Sequence, residues 1–220
     1  MQKNLRAGLL QKYHAIFRNT YEAGGGYEFR YDHGVRVMRY CEKFLTLPFF
    51  KKMNIDKDVL LVAALFSDVG KIKSLNAKGE LRYDSDADRR HAEIGSRLVV
   101  KYIGRSGLGR DKIKKVQSII DQQHGKKALS VEAKMVKDAD RLDNYGCLQI
   151  WRHITYAHYD KKGLDRLYEY WVTEGARVSA KNYLRQFYFP IIKAIAKKRY
   201  ARLDNLLRQI RMEAQAGDIT

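Results

Sequence analysis

Proline is almost missing: Pro48 and Pro190 are the only two in 220 residues. Long stretches therefore carry no helix breaker, which favours a helical chain. Cysteine is as scarce. Cys41 and Cys147 stand far apart with no CxxC spacing, which excludes a disulfide framework or a zinc ribbon. Reduced thiols of a cytoplasmic protein are the expectation. Long apolar runs are absent too. The run Val59–Phe66 falls far short of the roughly 20 residues that span a bilayer. The N-terminal Met1-Gln2-Lys3-Asn4-Leu5-Arg6 lacks the apolar stretch of a signal peptide, so no membrane partner is expected. Acidic residues are the last shortage: 25 against 43 basic ones, a net charge of +18. Such a field draws polyanions, whether nucleotides, nucleic acid or anionic lipid. The basic clusters at Lys112–Lys115, Lys126-Lys127 and Lys197–Arg202 are scattered. They lack the aromatic and glycine pattern of an RNA-binding module, so a solvated basic surface fits equally well.

What is present is enough to fold. Hydrophobic residues make up 45% and charged residues 31%, a balance of globular rather than disordered chains. Val59–Phe66 is apolar on every side, and such a helix is buried on every side. Asp56 is placed to cap it. Asp68 falls at its C-terminal end, where the macrodipole disfavours a carboxylate by roughly 0.3–1 kcal/mol. Gly70 is placed to close the helix through a left-handed turn. A compensating cation is needed, from Lys71, a neighbouring arginine or a metal.

Around this helix the periodicity predicts others. They cover residues 3–22, then 33–46 capped by Asp32 and stopped at Pro48. A fourth carries His91, and further ones lie near 111–123, from Ser130 through Leu142, and at 147–158 and 163–178. A last one lies near 181–214, kinked or divided at Pro190. Gly24-Gly25-Gly26 reads as a loop, without the Lys-Ser/Thr of a phosphate-binding P-loop. Residues 72–87 form a long polar connection, a length often found in functional loops. The expectation is an all-α helical bundle, a single domain over 1–220 with its core at about 30–146 and C-terminal helices 147–214 packed on it.

The polar residues at helix ends are His33, Asp68, His91, His124, Asp138, Asp140 and Asp143. Helix ends converge at one end of a bundle, and imidazole with carboxylate is a ligand set for divalent transition metals. An ion with open positions there lowers the pKa of water it holds, the chemistry of phosphoester and phosphoanhydride hydrolysis. Asp138 and Asp140 point to nearly opposite faces of a helix, so only one of them looks into such a site. His14, His153 and His158 carry no such pattern.

The order His33, then Ser67-Asp68-Val69-Gly70-Lys71, His91-Ala92-Glu93-Ile94-Gly95, His124 and Lys137-Asp138-Ala139-Asp140-Arg141-Leu142-Asp143 resembles the HD-domain metal-dependent phosphohydrolases over residues 30–146. The segment 184–210 is similar to the tail of nucleotide-hydrolysing bacterial members. The resemblance implies His33, Asp68 and Asp140 as ligands of a divalent ion (Mn, Mg, Fe, Co or Ni). It implies His91 and His124 as groups that hold substrate phosphate or a second ion. Arg36 and Lys71 match basic residues near the family's site and would bind substrate, with Asp68, Lys71, His91 and His124 forming the catalytic set. The implied activity is hydrolysis of a nucleotide or another small phosphate ester or anhydride.

One residue departs from the pattern. The resembling family carries a His-Asp doublet, and here it is Ser67-Asp68. A serine hydroxyl is a poor ligand beside imidazole. Three outcomes are open: a metal on His33, Asp68 and Asp140 with one more water; a metal shifted toward His91 and His124 and sharing Asp68; or an empty site. In the last case the domain would be a module that binds a nucleotide or nucleic acid without turnover.

Overall fold

The computed structural model describes residues 3–83, 85–124, 127–159, 161, 163 and 181–219. It is predominantly helical. In chain order come α1 (Lys3–Phe17), β1 (Tyr21–Glu22), β2 (Gly26–Tyr27), α2 (Phe29–Thr46), α3 (Pro48–Lys51), α4 (Lys57–Phe66) and a 3-10 helix (Val69–Ser74). Then follow α5 (Asp86–Arg89), α6 (His91–Ile103), α7 (Arg110–Asp121), α8 (Val131–Asp143), α9 (Leu148–Tyr159) and α10 (Pro190–Ala214). The two short strands pair antiparallel, Tyr21 opposite Tyr27. The expected helix at 163–178 lies outside the described residues.

The chain divides into two compact units, one of Met1–Glu22 and Gly26–Asp140, the other of Ala23–Gly25 and Arg141–Thr220. In the first, α4 is the central element, packed against α1, α2 and α7. Every residue from Val59 to Phe66 is buried, as its unbroken apolar sequence requires. Each such valine, leucine or phenylalanine contributes about 1.5–3 kcal/mol of burial free energy. Asp56 caps the helix as expected, accepting from the Val59 amide at 3.2 Å. The neighbours supply matching apolar stripes: Leu9, Tyr13 and Phe17 from α1, Val37, Met38, Cys41 and Phe44 from α2, and Val116, Ile119 and Ile120 from α7. Ser130 starts α8 through its Oγ, which accepts from the Ala133 amide.

The second unit has an aromatic centre. Tyr145 stacks on Tyr183 and Tyr200, with ring centroids 5.4 and 5.9 Å apart, and Phe187 meets it edge-on. α10 buries Ile192, Ala196 and Leu203, and Arg199 donates to the Leu142 carbonyl at 2.8 Å. No helix among the described residues is long and apolar enough to cross a membrane.

Several local expectations need correction. α2 begins at Phe29, not 33, so Asp32 lies inside its first turn rather than capping it. The extra turn is held by burial of Phe29 and Arg30, a tertiary gain that outweighs the missing cap. At Pro190 the second of the two expected outcomes holds: residues 181–185 are helical, and after a break Pro190 opens α10 at its first turn, where its missing N–H costs nothing. Gly70 does not take the left-handed conformation. It lies in the 3-10 helix because that helix presses backbone-first on α6: a Cβ there would stand 1.9 Å from the His91 carbonyl oxygen and 2.7 Å from the Gly95 nitrogen. The long connection after Ser74 is built rather than loose. Leu75 bridges to Leu81, Glu80 bridges to Tyr21, and the Asn76 side chain accepts from the amides of Lys78 and Glu80.

Candidate metal centre

α4 ends at Phe66, and the chain turns through Ser67 and Asp68 into the 3-10 helix. Asp68 precedes that helix with no capping bond from its side chain, so the carboxylate is left for long-range partners. It is buried, and its two oxygens face different neighbours.

The Oδ1 side meets an imidazole, and a second imidazole lies beside that one. His91 opens α6. Its Nδ1 bonds the Asp88 carbonyl oxygen, so Nδ1 carries the hydrogen and Nε2 presents its lone pair. That Nε2 is buried without a hydrogen-bond partner, 3.5 Å from Asp68 Oδ1. His124 follows the end of α7, its ring centroid 4.2 Å from that of His91. One ligand atom from each of Asp68, His91 and His124 lies within 4.8 Å of the others. Bonds of about 2.0–2.2 Å to nitrogen and oxygen require donors about that close. A buried imidazole nitrogen without a partner, oriented by a carbonyl behind it, is how protein metal ligands are held. The residues present therefore fit a divalent ion.

The Oδ2 side meets cationic and imidazole groups. Arg30 Nη1 donates to Asp68 Oδ2 at 2.5 Å, while its Nε and Nη2 both bond Glu22 Oε2. Tyr83 in turn donates to Glu22 Oε1. His33 Nε2 lies 3.6 Å from Asp68 Oδ2 and 3.0 Å from Asp140 Oδ1. Burial alone would raise the Asp68 pKa, but Arg30, His91 and Lys71 outweigh it and hold the carboxyl well below its usual range. The cation that the end of α4 called for is thus Arg30 in the first instance. His124 shifts downward: the protein around its ring disfavours the charged form, and His91 and Lys71 add to this against Asp68 and Asp140.

The structure gathers His33, Asp68, His91, His124 and Asp140 around one carboxylate. Lys71 is tied back, its Nζ donating to Asp88 Oδ1 at 2.9 Å. Arg36 stands one ring away, its guanidinium 5.4 Å from the Phe29 centroid, and that ring stacks on His33. Ser67 is buried, and its hydroxyl donates to the Ala64 carbonyl at 3.0 Å. Asp138 is fully buried, and Asp140 is the acid of that pair that reaches His33. Two participants were missed in the sequence. Arg30 lies one turn before His33, and that i, i+3 spacing was the available signal. The Asp88 carbonyl has no residue signature at all.

Comparison with known proteins gives a consistent picture. No match is found among curated proteins. The structure of Bacillus subtilis YpgQ in complex with ADP aligns with a TM-score of 0.65 at 20% identity, over 96% of this chain and 95% of that one. A predicted HD superfamily hydrolase from an uncultured Thermotogales bacterium aligns at 0.62 and 18%, over 93% and 90%. The Lin1889 protein from Listeria innocua aligns at 0.60 and 18%, over 96% and 98%. These likenesses show the fold. The HD domain family model matches residues 30–145, more than half of the chain and the segment that holds all five converging residues. The chain belongs to the HD-domain superfamily of metal-dependent phosphohydrolases.

Proposed function

We propose that this phosphohydrolase acts on a nucleotide or another small phosphate ester or anhydride, with its divalent ion on Asp68, His91 and His124. One observation carries the reading: three ligand atoms within 4.8 Å, one of them a buried Nε2 without a partner, fixed by the Asp88 carbonyl behind it. The nucleotide part draws support from YpgQ, which was crystallised with ADP, and from the +18 charge, which steers anions. An ion bound there supplies a polarised phosphoryl oxygen and a water of lowered pKa.

The chain's own residues do the rest. Asp68 carries the buried negative charge that anchors the ion. His33, held between Asp68 and Asp140, would hold or return a proton for the attacking or leaving oxygen. Lys71 and Arg36 supply positive charge to phosphate oxygens, the former from the 3-10 helix and the latter from the His33 helix. Ser67 stands where the family's histidine would be and offers no nitrogen. This favours the Asp68–His91–His124 side over the set His33, Asp68 and Asp140. The latter set is kept as the second reading because His33 Nε2 lies 3.0 and 3.6 Å from carboxylate oxygens of Asp140 and Asp68.

The test is a phosphatase screen over nucleotides with Mn, Mg, Co, Ni and Fe, alongside elemental analysis. Asp68→Asn should abolish both bound metal and turnover; turnover that persists in metal-free Asp68→Asn overturns the reading. His91→Ala should lose the ion, whereas under the second reading His33→Ala loses it instead. Ser67→His should raise metal affinity only under the second reading and leave it unchanged under the first.

A further inference from the structure

Resting on the metal-centre reading above, we propose that Arg30 is a positioning residue that stands in for a second cation: its guanidinium occupies the Oδ2 side of Asp68 and limits the centre to a single ion on the Oδ1 side.

The two oxygens of Asp68 face two half-sites. Oδ1 faces His91 at 3.5 Å, and Oδ2 faces His33 at 3.6 Å, with Asp140 3.0 Å beyond the His33 Nε2. Each half-site offers imidazole and carboxylate, the donor set of a divalent transition metal. An ion between His33, Asp68 and Asp140 would take Oδ2. That oxygen already accepts a charge-assisted bond from Arg30 Nη1 at 2.5 Å. Arg30 is not a side chain that swings aside. It is 6% exposed, and its Nε and Nη2 are clamped on Glu22, itself 2% exposed. Tyr83 holds the other oxygen of Glu22. The guanidinium is always charged, so it brings permanent positive charge to the oxygen that a second ion would need. The His33 side also has only the Ser67 hydroxyl beside Asp68, and that hydroxyl is bonded to Ala64. On the other side, ligand atoms of His91 and His124 lie within 4.8 Å of each other and of an Asp68 oxygen. One face of Asp68 is filled from within the chain, and the opposite face is built for an ion from outside it.

The experiment is metal stoichiometry. Metal-free protein is loaded with excess MnCl2, desalted, and read by elemental analysis and low-temperature EPR. Wild type should retain a single Mn(II) per chain with an uncoupled spectrum. His91→Ala should lose that ion. The double variant Arg30→Met/Glu22→Gln, which removes the clamp with its counter-charge, should bind a second Mn(II) and show the signal of a coupled pair. Two ions in wild type, or one ion in a folded double variant, overturns the proposal. No ion in wild type refutes the metal-centre reading itself and the proposal with it. Should the double variant fail to fold, His33→Gln decides with the buried clamp intact. The ion's Kd should then stay within about threefold of wild type, whereas a rise of about tenfold or more, the loss expected of a ligand or its support, overturns the proposal.

Discussion

Gly70→Ala is the sharpest test of how the centre is built. The added Cβ would lie 1.9 Å from the His91 carbonyl oxygen, 2.7 Å from the Gly95 nitrogen and 2.8 Å from the His91 carbonyl carbon. All three are backbone atoms, so no side chain can rotate away. Relief needs the 3-10 helix and the start of α6 to part by more than 1 Å, opening a contact in a packed interior. Overpacking of this kind costs about 3 kcal/mol, the upper part of its usual range. For a chain of this size that lowers Tm by about 6–12 °C. The displaced carbonyl belongs to His91, so the imidazole moves with it and metal affinity should fall about tenfold. Two milder glycines give the scale. A Cβ at Gly95 meets Gly70 N at 3.1 Å and Ile120 Cγ2 at 3.3 Å, and one at Gly8 in α1 meets nothing within 4 Å. Gly95→Ala should cost about 1 kcal/mol, and Gly8→Ala should gain up to about 1 kcal/mol from helix propensity. Thermal melts of the three variants, with Mn titrations of each, check the order. A Gly70→Ala protein melting within 2 °C of wild type (a change below about 1 kcal/mol) would refute the close approach of the two backbones.

Other outcomes are equally definite. Arg30→Met alone leaves Glu22 and Asp68 buried opposite an apolar side chain and should cost about 3–5 kcal/mol, measurable by urea unfolding; a cost no larger than that of Arg30→Met/Glu22→Gln would contradict the clamp. Asp56→Ala removes the cap of α4 at Val59 and one partner of Lys112, costing about 1 kcal/mol with phosphatase activity unchanged. Metal affinity should respond to pH in one direction. The neutral imidazole is the ligand, and the protein packed around the His124 ring, which keeps an exposed face, holds it below its ordinary value of 6.5. Proton competition at that residue therefore begins only beneath that value, and Mn affinity measured by calorimetry should be flat from pH 8 to about 6.5 and weaken below it. Weakening that sets in above pH 7 would mean that His124 is not shifted downward or that another group governs binding.

Residues whose role is set by local pattern were legible before any coordinates. The unbroken apolar sequence of Val59–Phe66 fixed a buried central helix, and Asp56 fixed where it starts. Asp68, His91, His124, His33 and Asp140 were legible as a set because their order along the chain resembles a family. Their mutual distances were not, because contacts between residues tens of positions apart leave no trace in spacing. Arg30 was hidden for that reason: its partners Glu22 and Asp68 lie 8 and 38 residues away. Gly70 was visible but misassigned. A glycine after a helix end ordinarily marks a left-handed cap, and the sequence does not reveal that another backbone lies where its side chain would be.

The hydrogen-bonded line from Tyr83 through Glu22 and Arg30 to Asp68 also bears on how the protein folds. Its links span 61, 8 and 38 residues, so it needs β1, α2, the end of α4 and the connection after Ser74 in place together. Long-range closures of this kind carry an entropy cost before they repay it. Until they close, Asp68 lacks its arginine, and the carboxylate has no reason to leave water. The helices can therefore form and collapse while the centre is still open. During unfolding the sequence reverses: metal retention should be lost at lower urea than helical circular dichroism, because the centre belongs to the least local part of the unit.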